Sequence, residues 1–139
     1  MNKEFENGHD KLTDETRGKL KGLSKAMLRL HKTLLDAAKV EYETKNGAIQ
    51  STNQYLSLVI DDSYFAWLRK LSSLIALIDE AVSIRRPATE TEAVALLNEA
   101  KNLLNFEDAE EDFNNKFQAA LQNNKDAVLG HNDALSFVN

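Results

Sequence analysis

Apolar residues recur every three or four positions along most of the chain, which is the spacing of one face of an α-helix. In the first long segment this apolar stripe consists of Leu20, Leu23, Met27, Leu30, Leu34 and Ala37. Thr13 can cap the start of the segment, and Asn46-Gly47 is a stop signal at its end. The pattern therefore predicts a long first helix from about Thr13 to Lys45.

The most apolar stretch of the sequence runs from about Ser63 to Ile84. Its apolar positions spread over a wide helical face and are Tyr64, Trp67, Leu68, Leu71, Leu74, Ile75, Ile78 and Val82, flanked by Phe65 and Leu77. A helix that is apolar over most of its circumference has to be covered on several sides. We therefore expect this helix at the centre of the fold, after a short helix over about Thr52 to Ile60.

The second half of the chain also has helical spacing. Thr89 and Glu92 have the spacing of a capping box, which predicts a helix of about 90–104. The residues that this helix is expected to bury are Val94, Leu97, Ala100 and Leu104. Two shorter helices are predicted near 113–123 and 125–137. Because one proline and five glycines leave few helix breakers, and no alternation of period two is present, the sequence predicts an all-α protein.

The length of the chain and its short connections indicate how the helices are organised. A chain of 139 residues is one domain on the usual length scale. Short connections between antiparallel helices are typical of up-down bundles. We predict a single up-down helical bundle of about four to six helices over residues 13–139, preceded by a disordered segment over residues 1–12.

The composition of the chain indicates its cellular compartment and excludes some classes of partner. The chain has no cysteine, which excludes disulfides, thiolate metal sites and a cysteine nucleophile. Its net charge of −5 is the wrong sign for a protein that neutralises nucleic-acid phosphates. No run of about 18 apolar residues exists, and the polar start of the sequence does not resemble a signal peptide. These features predict a cytoplasmic protein that binds neither nucleic acid nor membrane.

None of the familiar catalytic motifs occurs in the sequence. It lacks a glycine-rich phosphate loop, Gly-x-Ser-x-Gly, His-Glu-x-x-His and an acidic calcium loop. It also lacks the Glu-x-x-His pairs of di-iron bundles. We therefore predict no cofactor and favour a non-catalytic role, although the sequence leaves enzyme activity open.

Four titratable residues lie on or beside the apolar stripes, namely His31, Glu41, Asp79 and His131. If they converged in the core, they could form a metal or small-molecule site. The plainer interpretation is that each imidazole bonds to a carbonyl or carboxylate, that Glu41 faces water near a helix end and that Asp79 lies at the core edge. We favour this interpretation because unpaired carboxylates are rarely buried.

The segment 61–69 has the densest chemical character in the chain, with three aromatic residues, two aspartates and an arginine. Trp and Arg are the side chains that most often anchor binding surfaces. Aromatic residues at helical spacing, however, belong to the core more often than to a site. Trp67 and Arg69 are therefore binding candidates, with a core position as the alternative for Trp67.

This segment also resembles a known group of proteins. The sequences Asp62-Ser-Tyr-Phe-Ala-Trp-Leu-Arg-Lys-Leu-Ser and Leu74-Ile-Ala-Leu-Ile-Asp-Glu80 are similar to a segment of small uncharacterised bacterial all-helical proteins. The resemblance extends over about Leu28 to Val138 and implies a bacterial origin and a stand-alone domain, but no activity. The residues to which it directs attention as a set are His31, Trp67, Arg69, Asp79 and Glu80.

Two functions follow from these observations. An amphipathic bundle with a strongly apolar helix and no catalytic motif favours a non-catalytic module that binds a protein partner or forms a homodimer, since a two-fold dimer is the commonest way to cover surplus apolar surface. The alternative is a bundle that binds a metal or a small molecule at a buried His/carboxylate site.

Overall fold

The computed structural model describes residues 10–139 and contains six α-helices in that range. In chain order they are α1 (Asp14–Asn46), α2 (Thr52–Asp61), α3 (Leu68–Ala81), α4 (Glu90–Leu104), α5 (Glu111–Gln122) and α6 (Lys125–Leu135). The described residues contain no β-strand, and one isolated bridge joins Lys11 to Thr89. The predicted all-α bundle with a long first helix is confirmed.

Helix α1 begins and ends where its sequence signals predict. The Thr13 side chain accepts a hydrogen bond from the Thr16 amide at 3.1 Å, which satisfies one of the free N–H groups of the first turn. At the other end Gly47 has a φ of 87°, a value that favours glycine, and its amide donates to the Glu43 carbonyl.

The helix at the centre of the fold is α1, and the prediction that the apolar 63–84 segment would occupy the centre is wrong. α1 has 33 residues, a length of about 50 Å, and it packs against α3, α4 and α6. Its buried apolar residues are Leu20, Leu23, Ala26, Met27, Leu30, Leu34 and Ala38. By contrast, α3 leaves Leu77 53% exposed, because its outer side has no covering helix within residues 10–139.

Helix α3 is also shorter than the predicted helix over 63–84. Asp62 accepts a hydrogen bond from the Tyr64 amide at 2.8 Å, and the next residues form turns with bonds between residues three apart. These turns place Phe65 in the core, where it is fully buried. An aspartate that bonds the backbone two residues on competes with helix formation, so the regular helix begins only at Leu68.

Helix α4 begins with the predicted capping box, in which Thr89 and Glu92 each bond the other's backbone amide. Its expected core is only partly right, since Val94 is exposed and Ala93 and Leu103 are buried instead. Ala100 and Leu104 are buried as predicted, and the buried face is turned toward Ala93 and Leu103.

The chain before α1 is anchored to the start of α4. The Asp10 carboxylate accepts hydrogen bonds from the Thr91 amide and hydroxyl, both at 3.0 Å, and Leu12 is buried in the core. Residues 10–12 thus differ from the prediction of a disordered segment over 1–12, while residues 1–9 lie outside the described residues. No described helix is long and apolar enough to cross a membrane.

Candidate functional site

Helices α3 and α4 form an antiparallel pair. At one end the Ala88 amide, just before α4, donates to the Ala81 carbonyl at the end of α3. At the other end Lys70, near the start of α3, bonds Asp108, which follows α4. The outer side of this pair carries an open groove with a volume of about 1120 Å³.

The floor of this α3–α4 groove is apolar. The larger apolar side chains that line it are Trp67, Leu74, Leu77, Leu96, Leu103 and Phe113. Between them lie Ser73, Ala81 and Ala95, whose small side chains leave the space that the groove occupies. The lining residues recur at helical spacing on both helices, so the groove follows the length of the pair.

One end of the groove is closed by charged residues of the α4–α5 connection. The Lys70 ammonium lies 2.6 Å from Asp108 and 2.7 Å from Glu110. Burial disfavours the charged form of Lys70, but the hydrogen bonds and charges of the two carboxylates outweigh burial and raise its pKa. Burial likewise opposes ionisation of Asp108, yet the Lys70 hydrogen bond prevails and lowers the pKa of that carboxyl.

Trp67 and Arg69 lie at the same end of the groove. The indole ring of Trp67 is half-buried, with ring centroids 6.1 Å from Phe113 and 6.4 Å from Phe117. Trp67 therefore packs on the core and lines the groove at once. The Arg69 guanidinium donates to the carbonyls of Val59 and Ile60, the last turn of α2, so its main contacts are structural.

Glu80 lies on the α3 wall of the groove and Glu99 on the α4 wall. Both are exposed, and neither forms an ion pair or a side-chain hydrogen bond with any residue of the range 10–139. Each wall therefore carries one exposed carboxylate that forms no ion pair or side-chain hydrogen bond with another described residue.

The chain matches no known protein family, no curated protein and no solved structure. A function therefore has to be inferred from the geometry of the groove.

Three of the five predicted binding residues, Trp67, Arg69 and Glu80, line the groove, and two do not. Asp79 accepts a hydrogen bond from the Ser24 hydroxyl on α1, so it joins α3 to α1 on another side of the helix. His31 is half-buried on α1, where desolvation lowers its pKa below the usual 6.5.

The four residues of the alternative metal site are not brought together. Within the described part of the chain no three His, Asp or Glu side chains are close enough to share a metal ion. His131 is buried, and its Nε2 atom lies 2.7 Å from the Leu104 carbonyl oxygen. Glu41 is exposed and pairs with Lys45 at 3.2 Å. The contacts of His131 and Glu41 are of the kind that the plainer interpretation describes, whereas the His31 imidazole forms no hydrogen bond within residues 10–139.

The contribution of α4 to the groove is not apparent from the sequence. Leu96 and Glu99 line it, but they lie off the apolar stripe that the sequence analysis assigned to this helix. The available signal was Leu77, which flanks the main face of the 63–84 segment and therefore points away from the core. No comparable signal marks the partner helix, because the pairing of α3 with α4 is set by the tertiary fold.

Proposed function

We propose that this protein is a non-catalytic helical interaction module, and that the α3–α4 groove is the surface on which it binds a helical segment of a partner protein. The observation that carries the proposal is the groove itself, in which the exposed Leu77 and the half-buried Trp67 and Leu96 lie over a buried apolar base of Leu74, Leu103 and Phe113. An apolar groove rimmed by polar residues is a common feature of protein–protein binding sites.

The shape of the groove favours a protein segment over a small molecule. Its volume of about 1120 Å³ exceeds that of most small-molecule sites, and it runs along two helices instead of closing around a cavity. A third helix lying on an antiparallel pair is the usual arrangement in helical bundles. The resemblance of the 62–80 segment to bacterial proteins supports a bacterial origin for this module, and the absence of cysteine supports a cytoplasmic setting.

Selection from a displayed library of amphipathic helical peptides tests this proposal. Selected peptides are expected to bind the wild-type protein and to change the fluorescence of Trp67, which lines the groove and is the only tryptophan in the sequence. Leu77→Ser should abolish binding. The matched control is Leu28→Ser, since Leu28 is exposed to a similar degree (57% against 53%) but lies outside the groove lining.

Two results would contradict the proposal. One is a library that yields no peptide whose binding depends on Leu77. The other is a protein that exists as a dimer through the groove, shown by a doubled mass in sedimentation that returns to 15.6 kDa in Leu77→Ser. In that case the groove serves self-association.

A further inference from the structure

We infer that the helix which binds the α3–α4 groove is cationic, with an apolar face flanked on both sides by Lys or Arg. This inference rests on the proposed function and adds the chemistry of the partner. It follows from the charges that line the groove, from their existing contacts and from the length of the groove walls.

The lining of the groove is acidic. It contains six carboxylates against four cationic side chains, a net charge of −2. Three of the four cations are already engaged: Lys70 with Asp108 and Glu110, Lys116 with Asp112, and Arg69 with two backbone carbonyls. These cations are therefore poorly placed to receive an acidic partner.

Two carboxylates of the groove walls, unlike these cations, are not engaged by other residues of the range 10–139. Glu80 and Glu99 are exposed and form no ion pair within residues 10–139, and they border the apolar floor from α3 and from α4. A helix lying between these walls would bring its flanking positions next to one carboxylate on each side. Lys and Arg suit such positions because their aliphatic stems cover apolar surface while the charged ends reach the rim.

The walls also set the length of the bound segment. α3 has 14 residues and α4 has 15, which correspond to about 21 and 22 Å of helix. A bound helix of about 14 residues, or four turns, would span the groove. Apolar residues at positions i, i+3 or i+4, and i+7 would face the floor, as in other helix-in-groove complexes.

The protein's own helices with exposed apolar residues do not combine a continuous apolar face with flanking cations. α1 is rich in lysine and arginine, but its exposed Leu28 and Val40 are twelve positions apart, about 120° around the helix. α2 exposes Leu56 and Ile60 but contains no lysine or arginine and ends in Asp61. α6 exposes Val128 and Leu129 but carries two aspartates against one lysine. A second copy of the chain, with a net charge of −5, is therefore a poor match for the acidic rim.

Three synthetic peptides taken from one Leu77-dependent binder test the inference. They share the apolar face and carry Lys, Gln or Glu at the flanking positions. Titrations followed by Trp67 fluorescence should show the Lys peptide binding about tenfold tighter than the Glu peptide in low salt. Because the attraction is between exposed charges, this advantage should shrink as ionic strength rises from about 0.05 to 0.5 M.

A pair of charge-matched variants locates the effect. Glu80→Gln/Glu99→Gln should remove most of the advantage of the Lys peptide and leave the Gln peptide unaffected. Glu15→Gln/Glu107→Gln changes the net charge equally, at exposed positions outside the groove lining, and should leave the advantage intact. Equal loss in both variants would show a general charge effect and overturn the inference.

The two proposals fail in different ways. If the Glu peptide binds as tightly as the Lys peptide, and both depend on Leu77, the groove binds helices without selecting for charge, and only the inference is wrong. If no peptide depends on Leu77, the proposed function itself is wrong.

Discussion

Gly22 shows how a single position can look unfavourable in sequence and be required by packing. Gly18 and Gly22 both lower the helix propensity of the first turns of α1 relative to alanine. At Gly18 nothing lies within 4 Å of an added Cβ, whereas at Gly22 a Cβ would clash with the Phe137 ring. The C-terminal Phe137 therefore packs against the gap that Gly22 leaves in α1.

The two glycines make a matched pair for a stability measurement. We expect Gly18→Ala to raise the free energy of unfolding by up to about 1 kcal/mol, because it adds helix propensity without a clash. Gly22→Ala should gain less or lose stability, because the Phe137 ring has to leave its position. Urea denaturation of both variants checks this, and equal stabilisation by the two substitutions would show that the Phe137 contact is unimportant.

Phe106 has a left-handed backbone conformation, with a φ of 61°, that is uncommon for any residue except glycine. It follows α4 in a Schellman motif, in which the Glu107 amide bonds the Asn102 carbonyl at 2.8 Å. Its ring lies 5.2 Å from the Phe117 ring and 5.3 Å from the His131 ring, centroid to centroid. These contacts offset a backbone cost of about 1 kcal/mol.

Two substitutions separate the backbone and ring contributions of Phe106. Phe106→Gly should lower the free energy of unfolding by about 1–2 kcal/mol, since the loss of ring packing exceeds the relief of backbone strain. Phe106→Ala should be worse by a further 1 kcal/mol or so, because it keeps the strain and loses the ring. Thermal and urea unfolding measure both, and a Gly variant more stable than wild type would contradict this account.

His31 gives the protein a stability term that depends on pH. Burial lowers its pKa in the folded state below the value of 6.5 that it has when unfolded. Between these two pKa values the unfolded chain binds more protons, so stability falls as pH decreases from about 6.5. The slope cannot exceed about 1.4 kcal/mol per pH unit for one proton.

Replacement of His31 tests this term. The free energy of unfolding of His31→Gln should depend less on pH than that of wild type below about 6.5, in the range where the carboxylates are still ionised. The pKa of the Glu90 carboxyl is lowered below 4.5, chiefly by the hydrogen bond from the Thr13 amide. Its contribution to stability is therefore lost only at lower pH. Parallel curves for wild type and variant would refute the assignment.

At the scale of elements, α2 stands apart because none of its residues is fully buried. Its last turn is held by Arg69, whose guanidinium reaches the carbonyls of Val59 and Ile60 from the start of α3. Such hydrogen bonds to a charged group are stronger than ordinary ones. This clamp adds to the packing of Tyr55, Leu58 and Val59 against the core in fixing α2.

Loss of the clamp should therefore act locally. Arg69→Leu is expected to speed amide hydrogen exchange across residues 52–61 by about tenfold or more, with a smaller change in the rest of the chain. Arg29→Leu is the control, because the Arg29–Asp133 ion pair is exposed and should contribute little. Hydrogen-exchange mass spectrometry measures both, and unchanged exchange in α2 would argue that packing alone holds it.

The elements also show where sequence reasoning succeeds. The bounds of α1 and the start of α4 follow from local signals, namely the Thr13 cap, the Gly47 stop and the Thr89 box, and all three are present. The start of α3 was predicted too early because apolar spacing continues through 63–67, while the Asp62 side chain turns the backbone there. Helical spacing and tight turns share apolar positions, so periodicity alone does not separate them.

At the scale of the whole molecule, the groove depends on which helices are neighbours. Its apolar floor comes from residues 19 to 46 positions apart, on or next to α3, α4 and α5. Its closed end comes from the Lys70 pairs with Asp108 and Glu110. Trp67 could be singled out from sequence as a residue of binding character. That Trp67 shares a groove with Leu96 and Glu99 could not be predicted, because the apolar spacing of α4 does not indicate that these two residues lie on the groove side.

The sequence by itself determined that the chain is helical, where most helices begin and end, and which residues carry the strongest apolar stripes. These properties depend on spacing and on contacts within a few residues. Only the tertiary structure decided that α1 lies at the centre, that His31, Glu41, Asp79 and His131 stay apart, and that α3 and α4 leave a groove between them. Those outcomes depend on how helices pair, and helix pairing is set by the fit of whole surfaces that are distant in the chain.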